Sequence, residues 1–129
     1  MPTPLARPQT GSVPMAAGLT WDAVRVPRNV GLTALSILGS GSGAVLEDPS
    51  ALALYWFIPA GAGADWAITN TRALGAGSFV VIPPRRRTQG PGPHWRICPG
   101  EGAWKTDPNA LKAAIEDALD SARGRARAV

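Results

Sequence analysis

Leu52-Ala53-Leu54-Tyr55-Trp56-Phe57-Ile58 is an unbroken apolar run that stops at Pro59. It is short and aromatic, so it predicts a buried strand better than a helix. Upstream, Leu19 to Val26 alternates and reads as a strand ended by Pro27. Asn29 then suits a cap for a short helix in which Val30, Leu32, Leu35 and Leu38 have amphipathic spacing. Gly39-Ser40-Gly41-Ser42-Gly43 breaks that helix, Ala44 to Glu47 predicts a short strand, and Asp48-Pro49-Ser50 predicts a turn.

Downstream, Asp65 to Ile68 is expected to make one helical turn. Ser78 to Ile82 is a further β run, stopped by Pro83-Pro84. A Gly- and Pro-rich basic loop follows from Arg85 to Pro93, and His94 to Cys98 reads as the returning strand. The clearest helix is the last. Asp107 is a good N-cap, Pro108 suits the first helical position, and Leu111, Ile115 and Leu119 form a stripe flanked by Ala114, Ala118 and Ala122. Gly124 is expected to end it. This order predicts one α+β domain, with a mostly antiparallel sheet and two main helices packed on one face. Residues 1–17, rich in Pro, Thr, Ser and Gly, are expected to be a disordered leader, and residues 18–129 the domain.

The chain has 129 residues, of which 45% are apolar. That is room for one domain, with about 70% of the chain's surface open to burial. No apolar run approaches the roughly 18 residues of a membrane span. The N-terminus lacks a charged segment leading into an apolar one, so no secretory signal is expected. Cys98 is the lone cysteine, which points to a reducing cytoplasm and offers neither an internal disulfide nor a zinc site. The net charge of +4 comes from two clusters. One is Arg85, Arg86, Arg87 and Arg96; the other is Arg123, Arg125 and Arg127. Anionic partners follow from this asymmetry: nucleic acid, a nucleotide or an acidic surface.

Guanidinium groups grip phosphate bidentately, and an aromatic ring beside them can stack on a base. Arg85, Arg86, Arg87, His94, Trp95 and Arg96 are therefore the candidate nucleic-acid contacts. Trp66 and Trp104 lie in polar or Gly-rich surroundings and are the candidate anchors for a protein partner. The Arg123, Arg125 and Arg127 tail also complements a helix C-terminus, which is the plainer role. His94 and Cys98 would need partners to do acid-base or nucleophilic work. Neither Gly39 to Gly43 nor Gly61 to Gly63 has phosphate-loop spacing.

Three stretches, Asp22 to Gly31, Ser50 to Pro59 and Gly75 to Pro84, resemble the small bacterial primase-polymerase domain of the archaeo-eukaryotic primase type. Gly77-Ser78-Phe79-Val80-Val81-Ile82-Pro83-Pro84 is similar to that family's Gly-Gly-Tyr-Val-Val-x-Pro-Pro strand. The resemblance implies a metal-binding Asp-x-Asp pair before a proline, a histidine before the aromatic strand, and an Asp ahead of the third element. Matched on the prolines, Val24 and Val26 stand at the acidic positions, Ala53 at the histidine and Arg72 or a neighbour at the last Asp. Asp22, Glu47 and Asp48 remain as acids away from those positions. An apolar side chain cannot hold magnesium, so the resemblance implies a polymerase-like shell without two-metal phosphoryl transfer.

The leading expectation is thus a non-catalytic protein that holds nucleic acid or a nucleotide at a basic edge, without cofactor or metal. The second is an interaction module, or a homo-oligomer, using Trp66, Trp104 and a sheet edge. An enzyme with a relocated site at His94, Cys98, Glu47 or Asp48 ranks last, and primase or polymerase activity is not expected.

Overall fold

The computed structural model describes residues 11–100 and 104–127. In chain order its elements are β1 (Val13–Ala16), β2 (Trp21–Pro27), α1 (Arg28–Leu38), a 3-10 turn (Gly39–Gly41), β3 (Val45–Asp48), β4 (Ala53–Pro59), β5 (Arg72–Leu74), β6 (Phe79–Ile82), β7 (His94–Ile97) and α2 (Pro108–Arg127). Five strands form one sheet in the order β5-β2-β4-β3-β7, with every pairing antiparallel. The apolar residues Ala53 to Ile58 therefore lie in its central strand, while Leu52 falls in the exposed turn before it.

The β4 side chains alternate between two cores. Leu54, Trp56 and Ile58 pack with Val24, Val26 and Val45 against α1 and α2. Phe57 points the other way, with Trp21, Leu46 and Trp95. Both main helices cover the first face, as an α+β domain requires. Gly31 lets α1 lie close to the sheet, because a Cβ there would meet Leu54 Cδ1 at 2.8 Å. In α2, Leu111, Ala114, Ile115 and Ala118 are buried in the spacing read from sequence. Its Asp107 cap accepts a 2.9 Å hydrogen bond from the Ala110 amide.

The second face is covered by a two-stranded ribbon, β1 paired antiparallel with β6, which buries Val80 and Ile82. This overturns part of the leader expectation. Residues 13–16 are a strand of the domain, and residues 1–10 lie outside the described residues. Pro14 and the brevity of the segment hide the strand in sequence; an edge strand tolerates proline because its outward amide needs no partner. Gly18 allows the tight turn from β1 into β2, since its φ of +92° is left-handed and a Cβ would lie 2.5 Å from the Ala76 amide nitrogen.

Three further details differ from expectation. Asn29 does not cap α1. The helix begins at Arg28 with Pro27 as N-cap and no side-chain cap, while the Arg28 amide donates to Leu52 O at 2.8 Å. Asp65 to Ile68 is not helical. Residues 60–65 form hydrogen-bonded turns organised by Asp22, whose Oδ2 accepts from the Gly61 and Gly63 amides at 3.0 Å each. Gly124 does not end α2, whose backbone continues to Arg127. The side chains of Arg123, Arg125 and Arg127 lie outside the described residues. Among the described residues no helix is long and apolar enough to cross a membrane.

Candidate nucleic-acid interface

Glu47 organises the basic edge. In β3 it alternates with Leu46, so its side chain points to the helix-covered face and is only 8% exposed. The Arg28 Nε, at the start of α1, donates to Glu47 Oε2 at 2.8 Å. The Arg96 Nε, on β7, donates to Oε1 at 3.0 Å. His94 is the register partner of Glu47 and holds Nε2 3.6 Å from Oε1. Its Nδ1 is 3.1 Å from Gly92 O, which can only accept, so that nitrogen carries the proton. One carboxylate thus fixes two arginines from distant parts of the chain beside a histidine.

Burial pushes the Glu47 carboxyl up, but the Arg28 hydrogen bond and the charges of Arg96, Arg28 and His94 outweigh it and hold the group below its ordinary value of 4.5. A carboxyl depressed in the folded state stabilises the fold above its unfolded value, and loses that contribution as pH falls through the folded value. Wild-type stability should therefore fall on acidification below about pH 4.5. Glu47→Gln should flatten that segment of a plot of urea midpoint against pH. An unchanged slope in the variant would remove Glu47 as its source.

The basic loop lies along the outer edge of β7. After Pro83-Pro84 stops β6, the Arg87 amide closes a turn onto Pro84 O at 3.0 Å. The Trp95 amide donates to Arg87 O at 2.7 Å, and Trp95 Nε1 donates to Pro84 O at 3.1 Å. The loop backbone is therefore stitched to the strand that carries Arg96. Arg85 and Arg86 are exposed and form no ion pair or hydrogen bond with another described residue. Arg87 differs, because its Nη2 donates to Pro91 O at 2.8 Å and its Nε is buried without a partner. It braces the loop instead of facing outward with its neighbours. Glu47 gathers Arg28, Arg96 and His94 on one side of β7, and Trp95 ties the loop of Arg85 to Arg87 to the same strand.

The aromatic expectations need correction. Trp95 is 1% exposed and cannot stack on a base without unfolding its surroundings. It lies in an aromatic cluster with Phe57 and Trp104. Trp104 packs edge-on against both, with ring centroids at 5.3 and 5.5 Å, so it plugs the second core and is not an outward anchor. Trp66 is half-buried against the helix-side core, donates Nε1 to Thr71 Oγ1 at 2.8 Å, and lies under Lys112 Nζ. Cys98 is exposed and free. Asp48 Oδ1 accepts from the Ser50 amide and hydroxyl in a local turn. Arg28 and Glu47 were missed as members of the edge, since only sheet register and helix docking bring them to β7.

The positions matched to the primase-polymerase motifs fall in different surroundings. Val24 and Val26 are fully buried beneath α1 and α2, and Ala53 is 1% exposed. Arg72 is exposed and pairs in register with Arg25. What fold and edge define is an α+β domain with a cationic sheet edge. No family model, curated protein or solved structure matches the chain.

Proposed function

We propose that the protein binds nucleic acid through its phosphates along the β7 edge, as a non-catalytic domain of primase-polymerase-like appearance. The observation that carries this reading is the Glu47 cluster. A single acid fixes Arg28 and Arg96 beside a loop whose Arg85 and Arg86 have no internal partner. Such an excess of anchored guanidinium suits a polyanion, and phosphate contacts position a nucleic acid without reading its bases. With Trp95 buried, sequence preference should be weak. Fluorescence anisotropy of short labelled DNA and RNA strands over a salt series tests the reading. Affinity should fall steeply as salt rises. Salt-insensitive binding, or none at low salt, would refute it.

A second reading rests on the ribbon, where Val13 is 55%, Met15 43% and Phe79 67% exposed. β1 also leaves one backbone edge unpaired in a two-stranded sheet. The occupant that fits an unpaired apolar edge strand is the same strand of a second copy. Light scattering should then report a dimer that persists at high salt and is lost in Met15→Lys. A monomer at all concentrations would dismiss this reading.

A further inference from the structure

The opposite edge of the sheet carries a second cationic feature. Arg25 on β2 and Arg72 on β5 are direct cross-strand partners. By strand alternation Arg25 shares a face with Trp21 and Ala23, the face away from the helices. Side chains directly opposite across an antiparallel pair have Cβ atoms roughly 5 Å apart, where like charges repel. Both arginines are exposed, and neither side chain forms an ion pair or hydrogen bond with a described residue. They line a cavity of about 310 Å³ with Pro27, Ala53, Asn70 and Thr71. Asn70 enters it from a left-handed backbone position, φ 65°.

We infer that Arg25 and Arg72 form a binding site for a phosphate monoester or pyrophosphate group of a small phosphorylated molecule. Two guanidinium groups on adjacent strand positions offer paired donors of the kind a doubly charged oxyanion takes, and the bound anion would relieve their mutual repulsion. The cavity is at the small end of ligand-site sizes, which suits a compact metabolite. Arg25 is three strands from β7, about 14 Å, and on the other face of the sheet from Glu47, so the site is separate from the proposed nucleic-acid edge.

Thermal melting in inorganic pyrophosphate, with ionic strength held constant by sodium chloride, tests the site. Wild type should melt progressively higher as pyrophosphate rises. Arg25→Gln and Arg72→Gln, both at exposed positions, should melt at or above wild type without the anion and should not respond to it. The Arg85→Glu/Arg86→Glu protein should respond as wild type does. A parallel arm compares DNA strands with and without a 5′-phosphate. A preference for the phosphorylated end that depends on Arg72 would assign the same site to a strand terminus, while no preference keeps the free metabolite as its ligand. The inference is overturned if wild type ignores pyrophosphate, or if the response survives in Arg25→Gln and Arg72→Gln and disappears in Arg85→Glu/Arg86→Glu. Failure here leaves the β7 edge untouched, because the edge is read by DNA binding and this site by pyrophosphate.

Discussion

Arg85→Glu/Arg86→Glu is expected to weaken binding of a short DNA strand by roughly 10²- to 10³-fold at low salt. Each residue changes from a phosphate partner to a charge that repels phosphate. The slope of log affinity against log salt should also become shallower by about two, since each lost phosphate contact removes about one released counterion. Folding should be unaffected, because both side chains are exposed and make no contact that the fold uses. Arg87→Gln is the informative contrast. Its guanidinium bonds Pro91 O inside the loop, so it should cost loop order and only a small part of the affinity. Full binding by the double reversal, in a protein with the wild-type urea midpoint, would move the interface elsewhere.

Trp95→Ala should destabilise the protein by about 3–5 kcal/mol. The side chain is 1% exposed and packs against Phe57 and Trp104, so its loss leaves a large cavity in the second core. Against a typical total of about 5–15 kcal/mol, such a loss brings a domain close to unfolding at room temperature. Trp95→Phe separates packing from hydrogen bonding. It keeps much of the apolar area but removes the Nε1 bond to Pro84 O, at a cost of about 1–3 kcal/mol. Because that bond holds the loop carrying Arg85 and Arg86, Trp95→Phe should also weaken DNA binding a few-fold. Urea denaturation and anisotropy measure the two effects on one preparation. A Trp95→Ala protein as stable as wild type would contradict the burial of Trp95 in the second core.

The parts legible in sequence are those with strong local signals. The unbroken β4 run and the α2 stripe with its Asp107 cap each carry their own periodicity, and both form where expected. β1 and β5 have no such signal, being four and three residues long, and owe their strand geometry to β6 and β2. Asn29 looks like a cap in sequence, whereas the tie from the Arg28 amide to Leu52 O sets the start of α1. In the candidate site, Arg85 and Arg86 were legible because their charge is contiguous. The basic neighbours of Trp95 suggest an exposed ring, but the ring is buried. The alternation of His94-Trp95-Arg96 already sends the tryptophan to the opposite face from Arg96, and that period-two signal could have found its burial. The roles of Glu47 and Arg28 were not readable, since Glu47 meets Arg96 across a separation of 49 residues and Arg28 across 19. The Arg25 and Arg72 pairing likewise exists only through sheet register.

Amide NMR titration of the intact protein with a short single-stranded DNA bears most directly on the β7 edge. Shifts should grow with added DNA at residues 85–87 and 94–97 and around Arg28, and should shrink as salt is raised. Shifts confined to other surfaces, or a spectrum unchanged by DNA at low salt, would contradict binding at that edge.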